Sequence, residues 1–566
     1  MAYYQLILPL KLGWLPTYKS SESLLPGTRV NVSFARRKYV GVVFRQVNEP
    51  DLPEERISGI DGVEEGLPRI SPRETALWSF ISDYYLCSLG EVYKAAYPAM
   101  KLRSEMTALN VSERAAASAQ RRSDAALEML RRRVERLEER LSAKREALST
   151  AREGTVKRSR LEEEAARIGQ QLEEASARIS ELEAGREKAG SHAGGAPDEA
   201  PAVSSIPGPK PAVLVSTDRI DYYSTLISET LGSGRQVLVL TPDIAFCKRM
   251  SRALASDYGF EVCSYSSAQT SASRRKASDA ARNGSSALFV GTRSAILLPY
   301  RDLGLIIVDD EQDSSYKQTE PAPRYNGRDA AIALASIHGA QVVLGSQTPS
   351  LETVYNCRTG KYSMIPVPPV PLRRGNCEVV DIAAERRKRG MVGDFSRKLL
   401  QAASDTPGSI CLIRGWEKEE SLHEQAARLL PGREVRICTL AELKRDGCSE
   451  EFIAVMQADA LVSREDFRAD ERALQLVSLL ESFAPRVLVQ TTVADRFSGC
   501  RGTEALLEER RKFGFPPFTR LVDIRSHSDN SLTDRHFLAR DKTLAARKAE
   551  IAASVSPADY IDVDPI

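Results

Sequence analysis

Apolar and polar residues alternate through Arg29-Val30-Asn31-Val32-Ser33-Phe34, and Tyr39-Val40-Gly41-Val42-Val43-Phe44 is almost wholly apolar. These patterns predict two neighbouring strands. Ala35-Arg36-Arg37-Lys38 lies between them as a basic hairpin tip, and Leu25-Pro26-Gly27 is a turn that feeds the first strand. From about Pro72 to Tyr85 the period becomes helical, carrying Leu77, Trp78, Phe80, Ile81 and Tyr84 toward a core. Residues 1–108 therefore read as a small β-rich domain with helices.

The texture changes over residues 109–189. Leu127, Leu130, Val134, Leu137, Leu141 and Leu148 fall on heptad a and d positions; after Gly154-Thr155, Leu161, Ala165, Ile168, Leu172, Ala175, Ile179 and Leu182 repeat the spacing. Two apolar seams about a glycine turn predict an antiparallel coiled-coil hairpin; one long helix pairing with another chain is the alternative. Residues 190–210 are a Gly/Ala/Pro/Ser linker. Beyond it, short apolar runs at 212–215, 237–240, 287–290, 305–308 and 342–344 alternate with amphipathic helices, which predicts a parallel sheet over 211–370. A weaker α/β stretch covers 371–508, and 509–566 form a short last domain.

Composition adds bounds. A chain of 566 residues implies about three or four domains. With 79 Lys+Arg against 77 Asp+Glu the net charge is +2, which neither favours nor excludes nucleic acid, because a basic face is hidden in a neutral sum. No run approaches the roughly 20 apolar residues that span a bilayer, and MAYYQLILPLKLG lacks a basic lead and a cleavage site. A cytoplasmic protein without a membrane partner is expected. The nine cysteines include no C-x-x-C pair and the five histidines are dispersed, so free thiols and no zinc are expected.

The string Ile306-Ile307-Val308-Asp309-Asp310-Glu311-Gln312-Asp313 is the most informative. A buried parallel strand ending in carboxylates puts them at the sheet edge where α/β proteins bind ligands, although a strand followed by a solvated acidic turn would look alike. Thr241-Pro242-Asp243-Ile244, Gly291-Thr292-Arg293-Ser294-Ala295 and Gly345-Ser346-Gln347-Thr348-Pro349-Ser350 follow other strands, offering hydroxyls and backbone amides suited to a phosphodiester backbone.

Taken in order, TPDI, GTRSA, LGLIIVDDEQDSSYKQ, PRYNGRDAA and LGSQTPSLETVYN resemble the first lobe of the PriA family of superfamily-2 replication-restart helicases. LLPGTRVNVSF with YVGVVF resembles that family's N-terminal 3′-end DNA-binding domain, FRADERALQL the start of its last helicase motif, and ERRKFGFPPFTRL with IDVDP its C-terminal domain. The resemblance implies a multidomain α/β protein: a RecA-like lobe, a degenerate second lobe, a β-rich N-terminal domain and an inserted antiparallel coiled coil where the family has a winged helix. It implies forked or single-stranded DNA and primosome proteins as partners. DNA contacts fall to Tyr18, Arg36, Arg37, Lys38, Thr292, Arg293 and Thr348, with Tyr18 and Phe34 as stacking surfaces for an end nucleotide; Asp309 stands where the Mg²⁺-holding carboxylate of a nucleotide hydrolase would be, and Asp310 where the acid that orients the attacking water would be.

The departures are equally informative. The family's G-x-x-x-x-G-K-[ST] phosphate loop should fall at Val215-Ser216-Thr217-Asp218-Arg219-Ile220-Asp221, where the glycines are gone and Arg219 replaces the lysine. Val477-Ser478-Leu479-Leu480-Glu481-Ser482-Phe483 stands where the arginine finger should be, the zinc module is missing, and the last domain reads as about half the family's. Losing both clamps on a transferring phosphoryl group implies little or no ATP-driven unwinding, since the finger alone is worth about 10³–10⁵ in rate. An active 3′-to-5′ helicase using ATP and Mg²⁺ at a divergent site, or a coiled-coil scaffold without DNA binding, are the alternatives.

Overall fold

A computed structural model of the chain describes residues 1–50, 52–98, 142, 209–366, 376–462, 466–498 and 502–565. The heptad hairpin, most of the linker and any self-association through the coil lie outside the described residues. Two compact units are distinguished: Met1–Gly62 with Arg69–Lys101 and Ser205–Ile566, and Val63–Pro68 with Leu102–Ser204. The first unit holds both parallel sheets.

At its N-terminus the strands Thr17–Ser20, Ala2–Ile7, Arg37–Val47 and Arg29–Phe34 lie side by side in that order, all antiparallel. Phe34 pairs directly with Arg37, so the turn is only Ala35-Arg36, both at positive φ (48° and 64°). This two-residue turn matches the right-handed strand twist. The basic tip is thus shorter than expected, because Arg37 and Lys38 already belong to the second strand.

Helix Pro72–Tyr85 starts where the periodicity places it. Ser71 accepts a hydrogen bond from the Glu74 amide, Glu74 accepts one from the Ser71 amide, and Pro72 occupies the first turn. Its Trp78 is fully buried, 5.4 Å from the Tyr93 ring of helix Leu89–Ala96. These helices share one continuous core with the next domain.

That domain is a seven-stranded parallel sheet in the order Ser363–Met364, Ala212–Val215, Gln341–Ser346, Leu303–Asp309, Gln236–Leu240, Leu288–Gly291, Val262–Tyr265. Successive residues serve opposite faces: Leu238, Ile306 and Leu344 join the core shared with Trp78, while Val237, Leu305 and Val343 join a second core under helices Ile220–Gly232 and Ile244–Ser256. All five predicted strands are present. Ser363–Met364 and Val262–Tyr265 have no strong apolar signature because they are edge strands, covered on fewer sides.

Asn376–Asp381, Arg486–Thr491, Phe452–Val455, Ile410–Ile413 and Val435–Cys438 make a second, five-stranded parallel sheet, with cores on both faces. Here two of the dispersed cysteines meet: Cys411 and Cys438 bring their sulfurs to 3.5 Å. Thr519–Ser526 pairs antiparallel with Leu532–Ala539 and with the terminal Asp559–Val563, closing a three-stranded sheet. Lys317 donates to the Val563 carbonyl at 2.6 Å, tying this last sheet to the seven-stranded domain. No helix among the described residues is long and apolar enough to cross a membrane.

Candidate nucleotide cleft and nucleic-acid interface

Between strand Ala212–Val215 and helix Ile220–Gly232 only the four residues 216–219 make the turn. A phosphate loop needs eight positions and two glycines to wrap its amides around an anion. Here the turn closes on itself: the Ser216 hydroxyl donates to the Asp218 carbonyl at 2.7 Å and accepts from the Asp218 amide at 3.2 Å.

Arg219, the last residue of the turn, points across the sheet edge. Its Nε donates to Asp309 Oδ1 at 2.8 Å, one terminal nitrogen to Asp310 Oδ1 at 2.8 Å, and the other to the Ser216 carbonyl at 2.9 Å. The Tyr223 hydroxyl adds a bond to Asp309 Oδ1 at 2.9 Å. Burial alone would weaken the guanidinium's charge, but Asp309, Tyr223 and Asp310 together hold its pKa well above the ordinary arginine value. Burial and the neighbouring Asp309 charge raise the Asp310 carboxyl, against the pull of Arg219 and Lys444.

Two side chains carried by the same helix and its cap thus occupy the space between sheet edge and turn. Gly345 permits this: a Cβ there would collide with the Tyr223 hydroxyl and press on the Arg219 side chain. A divalent cation on Asp309 and Asp310 would have to displace a buried, doubly paired guanidinium, so the residues present do not fit Mg²⁺-ATP. Among the described residues, no group of three or more His, Cys, Asp or Glu is arranged to hold a metal ion.

The rest of the acidic string is also engaged internally. Glu311 accepts from the Ser350 amide at 2.7 Å and pairs with Arg328 at 2.9 Å; Gln312 accepts from the Ser346 hydroxyl at 2.7 Å. Asp313 accepts from the Ser315 amide at 2.9 Å and pairs with Lys444 of the second sheet domain at 3.2 Å. Against its own burial, Lys444 and the Ser315 bonds hold its carboxyl below the usual range.

A cavity of about 740 Å³ lies along this interface, lined among others by Arg219, Asp310, Gln312, Thr348, Arg249 and Lys444. From the opposite side, helix Ala469–Phe483 lines it with Leu479, Ser482 and Phe483. Next to it, Arg510 bonds Glu471 and reaches Glu352 at 3.4 Å, and Glu471 accepts from the Leu351 amide at 2.8 Å. Neither this buried network nor Tyr223 is visible as a motif, since the members lie up to 158 positions apart.

The predicted DNA contacts divide. Thr348 lines the cleft, its amide donating to Ser346 Oγ at 2.9 Å. Arg293 donates to the carbonyls of Ser315 and Lys317, both at 2.8 Å, so its guanidinium braces the following loop; the Thr292 hydroxyl lies 3.4 Å from that of Ser294. Tyr18 is buried at 3% exposure, with its hydroxyl on the Ser33 carbonyl and its pKa pushed up to about 12 by burial and Asp61. In this domain Tyr18 is a core residue, with no exposed ring face. Arg36, Arg37 and Lys38 are exposed. Beside Phe34 stands an aromatic that the strand and helix patterns do not single out: Trp14 is 57% exposed, its ring 6.3 Å from that of Phe34. A large aromatic between Gly13 and Pro16, outside any element, is the available signal.

Residues 5–98 match the family model of the PriA 3′ DNA-binding domain. Replication restart protein PriA of Rickettsia prowazekii is 34% identical over 175 residues, 31% of this chain and 27% of that protein. PriA of Haemophilus influenzae is 40% identical over 149 residues (26% and 20%), and PriA of Bacillus subtilis 32% over 195 residues (34% and 24%). The chain thus matches less than a third of the length of these curated relatives. Among solved structures, RecG bound to a three-way DNA junction gives a TM-score of 0.33 at 12% identity, covering 60% of this chain and 47% of that one.

Proposed function

We propose, for a chain that belongs to the PriA replication restart family, that it binds forked or single-stranded DNA and supports primosome assembly with little or no ATP-driven unwinding. The observation that carries this reading is the Arg219 guanidinium held between Asp309 and Asp310 beside a four-residue turn. A motor needs that space for phosphates and their metal, and needs an uncommitted group to orient the attacking water. Here a tethered side chain supplies the cation permanently.

DNA binding does not depend on that chemistry. The tip Arg36-Arg37-Lys38 gives charge for phosphates, and Trp14 with Phe34 gives faces for bases, the combination that single-strand binders use. Two assays test the reading. Fork-stimulated ATP turnover should be absent; turnover that vanishes on Asp309→Ala would overturn it. Fluorescence anisotropy should show fork binding that weakens as salt rises, and no binding even at low salt would favour a scaffold. Replacing Arg36, Arg37 and Lys38 together by alanine should lower the salt slope by about 3, at about one per lost phosphate contact. Trp14→Ala should weaken binding by about 1–3 kcal/mol without altering that slope, because stacking releases no counterions.

A further inference from the structure

The two parallel-sheet domains are joined beside the cleft by a reciprocal exchange of charge. Lys444, from helix Leu440–Asp446 of the second domain, pairs with Asp313 at 3.2 Å, at the end of the first domain's acidic string. In return Arg249, from helix Ile244–Ser256 of the first domain, donates to the carbonyls of Lys444 at 3.0 Å and Arg445 at 3.3 Å. Those carbonyls end a helix, where they lack intrahelical donors and carry the negative end of the dipole. The Phe246 ring, 4.5 Å from the Arg249 guanidinium, supports that side chain from beneath. Elsewhere on the interface the Gln347 side chain donates to the Ser478 carbonyl at 2.8 Å.

In a nucleotide-driven motor the bound phosphates bridge the two lobes, and closure therefore follows nucleotide state. Here the chain's own side chains make a direct bridge between the two domains. We propose that Lys444–Asp313 and the Arg249 cap on helix Leu440–Asp446 form a latch that keeps the two domains closed in place of a nucleotide, so that the domain arrangement presented to DNA is fixed without ATP. The latch rests on the proposed loss of the motor and specifies how the cleft is controlled. Lys444 is 31% and Asp313 17% exposed, so the pair is reachable by screening ions while remaining better sheltered than a surface pair.

The test uses the full-length chain carrying a donor and an acceptor dye on encoded azides at Ser256 and Ser421, exposed positions on helices of the two domains. Energy transfer in the unaltered chain should be the same without nucleotide, with Mg²⁺-ATP and with Mg²⁺-ADP. Lys444→Asp should reduce transfer, and adding Asp313→Lys should restore it, an outcome that mere loss of packing would not give. Transfer that responds to nucleotide, or that is unchanged in Lys444→Asp, would overturn the latch. Should Lys444→Asp fail to fold, a titration of the unaltered chain from about 0.1 to 1 M salt decides: transfer should fall as the screening length shrinks from about 10 to 3 Å, and a flat profile would overturn the latch. Fork-stimulated turnover with nucleotide-insensitive transfer would overturn the motorless function alone; nucleotide-sensitive transfer without turnover would overturn the latch alone.

Discussion

Replacing Arg219 by alanine is expected to destabilise the seven-stranded domain by about 3–5 kcal/mol, the range for removing one partner of a buried ion pair. Asp309 is 5% exposed, and without the guanidinium it faces Asp310 with the Tyr223 hydroxyl as its remaining side-chain donor. The loss should depend on pH. The Asp310 pKa is already raised in the folded chain, by burial and then by Asp309. A carboxyl with a raised folded pKa contributes stability that is fully present below the unfolded value of about 3.9 and is lost as pH rises through the folded value. Removing Arg219 moves the folded value further up, so the deficit should be largest near neutrality and shrink toward pH 4. Urea unfolding at several pH values measures it. Millimolar Mg²⁺ should recover part of the loss in Arg219→Ala and leave the unaltered chain unmoved, because only the variant offers an open pair of carboxylates. Equal stability of the two proteins across pH would refute the claim that the guanidinium holds this edge together.

Arg510→Ala should be comparably severe, at about 3–5 kcal/mol. Arg510 is 3% exposed and compensates two carboxylates at once, Glu471 and Glu352, while also donating to the Pro516 carbonyl at 3.0 Å. Burial raises the Glu471 pKa and the nearby Glu352 adds to it; Glu352, despite its own burial, is drawn below the usual range by Arg468 and Arg510. Without Arg510 both acids remain, with Arg468 3.9 Å from Glu352. The double substitution Arg510→Met with Glu471→Gln should recover part of the loss, since the amide oxygen still accepts from the Leu351 amide, the Glu471 charge is gone and Glu352 keeps Arg468. A double-mutant cycle by urea unfolding reads the coupling, and strictly additive effects would show that the two groups act independently. The loss should also appear at the junction between domains, because Arg510 sits on helix Thr503–Phe513 while Glu352 belongs to helix Leu351–Arg358 and Glu471 to helix Ala469–Phe483.

Local order is legible in the sequence where a residue's role depends on near neighbours. Ser71, Pro72 and Glu74 define the start of their helix by themselves, and the apolar runs at 212–215 and 305–308 fit buried strands alone at that length. The basic tip is legible in composition but not in extent, because pairing of Phe34 with Arg37 sets the turn at two residues. The burial of Tyr18 is not legible for the same reason: its side of the strand is chosen by the register with Ala2–Ile7, which buries the ring. Trp14 carries no periodic signal because it stands outside any element, and only the fold brings it to Phe34.

The missing phosphate loop is also a matter of sequence, since glycines and a lysine are either there or not. What fills its place is not. Arg219 and Asp309 are 90 positions apart, and strand Gln341–Ser346 lies between Ala212–Val215, which leads into the turn of Arg219, and Leu303–Asp309. Their meeting depends on the parallel strand order, which brings both to one sheet edge, and on Gly345 in the intervening strand, which has no side chain to keep Tyr223 and Arg219 from crossing. Coulomb attraction falls with distance and rises as water is excluded, so the same arginine is a solvated charge in an extended chain and a fixed counter-ion in this fold. Sequence determined that no G-x-x-x-x-G-K-[ST] run precedes this helix; tertiary structure decided that a covalently tied cation, Arg219, meets Asp309 and Asp310 at the sheet edge.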